Sequence, residues 1–149
     1  MPAKQTIKKA RAAKRQGKSP STQAGEFVHE EIEHIREGEH GARSAKQAIA
    51  IGLAKARRAG VKLPPPPKSA SERTKRSAKS DSARAGSRKK PSPARSRAAK
   101  EKLEGEPRAA ASHLALSRHA KAAARSRPAK ARQAAAKKAA KTRARRRDA

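Results

Sequence analysis

The chain has 149 residues, 41 of them Lys or Arg against 12 Asp or Glu, for a formal net charge of +29. Only 34% of residues are hydrophobic, mostly alanine, and there is no cysteine. Thiol catalysis, disulfides and cysteine-based zinc sites are thereby excluded, and so few large apolar side chains cannot build a large independent core.

Low hydrophobicity with high net charge describes a chain whose like charges oppose collapse. A polyanion relieves that repulsion and releases condensed counterions as it does so. An anionic membrane is the weaker candidate partner: no apolar run approaches the roughly 18 residues of a spanning helix, and no Trp or Tyr is present to anchor an interfacial one. The basic N-terminus lacks the apolar stretch of a secretory signal. The basic character also continues along the whole chain, unlike that of a transit peptide. A cytoplasmic, nucleoid-associated location is expected.

Residues 1–20 form a basic arm carrying Lys4, Lys8, Lys9, Arg11, Lys14, Arg15 and Lys18. Helix formers run from Ala3 to Gln16 and stop at Gly17 and Pro20. With Ile7 as its one large apolar residue after Met1, the arm alone is expected to fray.

Residues 21–63 hold nine of the large apolar residues and form the head, a short helical hairpin. Ser21 or Thr22 is placed to cap a helix ending near Glu37, before Gly38. Val28, Ile32 and Ile35 lie on one stripe, and Glu26, Glu30, Glu33 and Glu37 on another. After the loop Gly38 to Arg43, Ser44-Ala45-Lys46-Gln47 is a capping box. The second helix is expected to end at Gly60, with Ala45, Ile49, Gly52, Leu53 and Ala56 on one face, and Val61 and Leu63 folding back. Dimerisation through the hairpin would cover this thin apolar face.

Residues 64–107 form a linker. Pro64 to Pro67 favour a stiff polyproline spacer of roughly 12 Å, and the Ser/Lys/Arg/Pro-rich stretch after it has no apolar periodicity, so no regular structure is expected. Ser19-Pro20 and Ser92-Pro93 sit in basic surroundings where phosphate would subtract charge. Residues 108–149 are an Ala/Lys/Arg-rich tail, divided by Pro128. Alanine favours helix and crowded positive charge opposes it, so disorder or conditional helix is expected. Residues 1–63 hold 14 basic and 6 acidic residues, and residues 64–149 hold 27 and 6; the tail is the main electrostatic grip.

The expected ligand is therefore duplex DNA, with RNA as the alternative. The DNA-contacting candidates in the arm are Lys4, Lys8, Lys9, Arg11, Lys14 and Arg15, and in the head Lys46, Arg57 and Arg58. Those in the tail are Arg118, Lys121, Arg125, Arg127, Lys130, Arg132, Lys137, Lys138, Lys141, Arg143, Arg145, Arg146 and Arg147. Phe27 is the only Phe, Trp or Tyr, so stacking on single-stranded bases has little to work with. The loop is longer than the 3–4-residue turn of a helix-turn-helix, which favours backbone contacts over base readout, though Gln47 is placed to reach a base edge.

No catalytic residue is expected. His29-Glu30-x-x-x-His34 misses the metalloprotease spacing by one residue. Glu31-x-x-His34 has di-iron spacing, but a second such motif is missing. No metal or other cofactor is expected, and the acidic face is better suited to docking basic arms of the same or another chain. No serine sits in a nucleophile elbow, and no glycine cluster cradles phosphate.

Ser21 to Val28, Gly41 to Leu53 and Lys55 to Pro64, with Gly41-Ala42-Arg43-Ser44-x-Lys46-Gln47 as the most specific run, resemble a family of small basic bacterial proteins. These are described either as uncharacterised or as DNA-binding. The resemblance covers roughly residues 2–67. Residues 111–118 and 136–143 resemble the tails of the same proteins, which are similar to linker-histone tails in composition. The resemblance implies DNA binding and nothing catalytic. The expected protein is thus mainly α, histone-like and architectural. The alternatives are an RNA- or ribosome-associated protein, or a protein-interaction module using the acidic face.

Overall fold

The computed structural model describes residues 2–87 and 92–147, and every regular element among them is helical. The order is α1 (Lys4–Arg15), α2 (Pro20–Glu37), α3 (Ala45–Arg58), α4 (Glu72–Ala83), α5 (Pro93–Glu104), a 3-10 turn (Arg108–Ala111), α6 (His113–Arg125) and α7 (Ala129–Arg147). They divide into two compact units, Met1–Ser112 and His113–Ala149.

In the first unit the basic arm is a third packed helix. Thr6, Ala10 and Ala13 on α1 are buried, and Ile7 joins Ala10, Ala24, Phe27 and Ala56 in a small apolar cluster that Leu53, Val61 and Leu63 complete. Val61 and Leu63 fold back as expected. Glycine at φ 68 ends α1 at Gly17, and Ser19, not Ser21 or Thr22, caps α2: its Oγ accepts from Thr22 N at 3.3 Å. Pro20 occupies the first helical position, where a missing N–H costs nothing. A residue expected to stop the arm instead starts the next helix.

Helix α2 ends at Gly38, whose φ of 87° allows Gly38 N and Glu39 N both to donate to His34 O. Ser44 caps α3 through a 3.2 Å bond from Gln47 N. The reciprocal bond of the capping box is displaced by one residue, because Gln47 Oε1 accepts from Arg43 N at 3.1 Å.

The buried face of α3 is built from Ala45, Ala48, Gly52 and Ala56. A Cβ placed on Gly52 would meet Val28 Cα at 2.7 Å and Phe27 O at 3.0 Å, so the two backbones approach one another directly. This shifts the core line of α2 from Val28 and Ile32, both half-buried, to Ala24, Phe27, Glu31 and Ile35.

A second apolar cluster joins Ile35, Ala42 and Ala48 to Ala110 and Ala111 of the 3-10 turn. Backbone bonds fix this far segment on the α2–α3 loop: Gly41 N donates to Leu103 O at 2.8 Å, and Ala42 N to Pro107 O at 3.0 Å. Arg36 Nε donates to Ala111 O. The apolar face that a second copy of the hairpin was expected to cover is therefore occupied by α1 and by residues 103–111.

Helices α4 and α5 lie in the segment expected to lack regular structure. Ser71 and Ser92 cap them, Pro93 takes the first turn of α5, and Ala, Lys, Arg and Glu supply propensity without an apolar stripe. Only Ala78 of α4 is buried, where Arg58 pairs with Asp81 at 3.3 Å and Gly86 N donates to Arg58 O. In the second unit, where disorder or conditional helix was expected, α6 and α7 lie on either side of Pro128, and Leu114 stays 59% exposed.

Alanine is the better helix former, yet Gly52→Ala is expected to destabilise the full chain by about 1–3 kcal/mol through overpacking. Gly25→Ala, where an added Cβ meets nothing within 4 Å, is expected to stabilise it by roughly 0.5–1 kcal/mol. Urea unfolding followed by circular dichroism checks both signs.

Candidate nucleic-acid interface

The helical period sorts the arm's charges. Lys4, Lys8, Arg11 and Arg15 recur at i, i+4, i+7 and i+11, directly opposite the buried Thr6, Ala10 and Ala13. Packing α1 against α2 therefore turns this basic stripe outward, and Lys4, Lys8, Lys9, Arg11, Lys14 and Arg15 are all exposed. A 12-residue helix presents them along about 18 Å.

The head's candidates are less free. Lys46 is exposed, Arg57 is half-buried, and Arg58 is engaged with Asp81 and with Ala54 O. Gln47, the one side chain placed to read a base edge, accepts a hydrogen bond from Arg43 N instead. In the second unit Arg118, Lys121, Arg125, Arg127, Lys130, Arg132, Lys137, Lys138, Lys141 and Arg143 are all exposed. The side chains of Arg145, Arg146 and Arg147 lie outside the described residues. On α7, Lys130, Lys137 and Lys141 fall on one side of the helix, with Arg132 and Arg143 on the other.

The acidic stripe of α2 lies beside α1: Thr6 and Lys9 share a shallow cavity with Glu26, His29, Glu30, Glu33, His34 and Glu37. Among the described residues no ion pair joins a base of α1 to these acids. The polar tie is Ala3 N, which donates to Glu30 Oε1 at 2.6 Å.

Sequence reasoning missed a buried charge. Glu31 is 0% exposed, one turn from Phe27 and one turn from Ile35, between the two apolar clusters. Its Oε2 lies 2.6 Å from Lys55 Nζ and its Oε1 3.3 Å from His40 Nε2. Neither contact has hydrogen-bond alignment, and Lys55 is the permanently charged partner of the carboxylate. His34 completes the group: one ligating atom from each of Glu31, His34 and His40 lies within 4.8 Å of the others. The available signal was periodic: Phe27, Glu31 and Ile35 stand at i, i+4 and i+8, placing a glutamate on the core line.

The class these features define is an all-helical, strongly basic protein. Residues 2–68 match a family of unknown function (DUF6496), a range that spans α1 to α3 and the proline run. No curated protein and no solved structure matches the chain. Among the described residues no helix is long and apolar enough to cross a membrane.

Lys55→Met leaves Glu31 buried without its ammonium partner. It is expected to cost about 3 kcal/mol, the low end for a broken buried pair because Lys55 keeps 16% exposure. The double variant Glu31→Leu/Lys55→Met is expected to recover most of that loss. Denaturant melts of the three proteins measure the difference.

Proposed function

We propose that the protein binds duplex DNA with little or no sequence preference, in a histone-like, architectural role in the nucleoid and without catalysis. The observation that carries this reading is the separation of charge. The arm's bases form an outward stripe on a packed helix, and the second unit holds 13 Lys or Arg against the single acid Asp148.

Phosphate contact explains why so much charge is exposed. Each neutralised phosphate releases counterions and removes self-repulsion from the chain. A helix such as α7, 19 residues or about 28 Å long, fits the major groove in width. With Lys130, Lys137 and Lys141 on one side and Arg132 and Arg143 on the other, it would meet phosphates along both walls. Phe27 is 1% exposed, so the one aromatic ring of its kind is withdrawn from base stacking, which favours duplex over single strands. Gln47 is engaged within the head, which favours backbone contact over readout.

The test is a salt titration of binding to random-sequence duplex, read by fluorescence anisotropy. With about eight phosphates contacted, affinity is expected to fall roughly 10³–10⁵-fold between 50 and 200 mM salt. Replacing Lys4, Lys8, Arg11 and Arg15 together by Gln is expected to flatten the log–log slope by about 3–4. Removing residues 113–149 is expected to flatten it further. Salt-independent binding, or tighter binding to structured RNA at matched salt, overturns the assignment.

A further inference from the structure

We propose that Glu31, His34 and His40 form a binding site for a divalent transition-metal cation of the Zn²⁺ type, which ties α2 to the loop leading into α3.

His40 Nδ1 lies 3.0 Å from Gly41 O. A carbonyl oxygen only accepts, so Nδ1 carries the hydrogen. In a neutral ring Nε2 then presents a lone pair, and 3.3 Å away it faces Glu31 Oε1, which also has only lone pairs. Two acceptors at that distance need a positive particle between them, either a proton on His40 or a cation bound by both.

Three features favour the cation. A second imidazole converges on the same point, since one ligating atom from each of the three residues falls within 4.8 Å of the others. Donors around a tetrahedral zinc stand roughly 3.4 Å apart, given bonds of about 2.0–2.2 Å. The Glu31–His40 pair already meets that spacing, and a ligating nitrogen of His34, 22% exposed, stands within 4.8 Å of both. Next, the ligands are oriented from behind. Gly41 O fixes His40, and Lys55 holds Glu31 Oε2 at 2.6 Å, leaving Oε1 to the metal.

The charges also close. Glu30, Glu31 and Glu39 bring three negative charges around His34, with Glu39 Oε2 at 3.6 Å and Glu30 Oε1 at 4.0 Å from its ring nitrogens. Lys55 offsets one, and a divalent ion offsets the other two. Glu31 is fully buried, and neither of its oxygens has a hydrogen-bond partner, as expected for a carboxylate shaped to ligate. Two imidazoles and one carboxylate suit zinc, with water as the fourth ligand. The i, i+3 spacing of Glu31 and His34 supplies two ligands from one face of α2, and the turn at Gly38 brings the third.

The test uses untagged, full-length protein freed of metal with a chelator, then titrated with Co²⁺ as a spectroscopic probe and with Zn²⁺ by calorimetry. One equivalent is expected to bind, with the intense visible bands of low-coordinate cobalt and a rise in melting temperature with zinc. His34→Ala, at a partly exposed position, is expected to weaken binding tenfold or more while keeping the helical circular dichroism. His29→Ala and His119→Ala are expected to bind like the parent. Should His34→Ala fold poorly, Co²⁺ added to the parent protein must selectively broaden the His34 and His40 ring resonances, leaving those of His29, His113 and His119. Equal binding by parent and His34→Ala, broadening spread over all five histidines, or no uptake with a proton on His40 Nε2 overturns the site.

Discussion

A chain with so little apolar volume can hold helices together only by letting their backbones touch, and the contact of Gly52 with Val28 is where it does so. Dispersion falls steeply with distance. Alanine-sized side chains repay packing only when the axes lie close, and Ala45, Ala48, Gly52 and Ala56 keep that face of α3 flat enough. Once α2 and α3 are this near, Lys55 reaches Glu31, and Phe27 and Ile35 each close a small cluster at either end of the contact. Neither cluster is large. Each borrows material from elsewhere in the chain: α1 on one side, Ala110 and Ala111 on the other.

That borrowing explains what was legible in advance and what was not. Local signals were readable: the Ser44 cap, the stops at Gly38 and Gly60, and the return of Val61 and Leu63 all depend on residues a few positions apart. The α1 packing was not, because Ala10 and Ala13 are as ordinary in a solvated helix as in a buried one. The docking of residues 103–111 was hidden more deeply. It rests on backbone bonds from Gly41 and Ala42, and main-chain groups leave no side-chain pattern. An added Cβ at Gly41 would collide with the Glu106 carbonyl, yet a loop glycine read alone suggests only a turn.

The candidate site divides in the same way. Which residues were basic was plain, and the i, i+4 rule turned that list into a stripe on α1. The Glu31 group was not visible as a unit because its members come from three places. Glu31 and His34 share a helix face, His40 arrives through the left-handed turn at Gly38, and Lys55 comes from a different helix. Periodicity read along Val28, Ile32 and Ile35 lies one residue off the line of Phe27, Glu31 and Ile35 that packing selects, so it left Glu31 outside the core. Burial is decided by the face a residue occupies and not by its polarity.

The inward turn of the acids also changes what the net charge means. Glu30 and Glu31 are buried, and Asp81 is drawn to Arg58 where α4 meets α3. Negative charge removed from the surface no longer screens the bases around it, while Lys4, Lys8, Arg11 and Arg15 remain exposed. The first unit therefore presents a more positive face than its composition suggests. In the second unit, acids are scarce by sequence and no residue of α6 is buried. One unit buries Glu30 and Glu31 beneath an exposed basic stripe, the other has almost no acids, and each presents an excess of exposed bases.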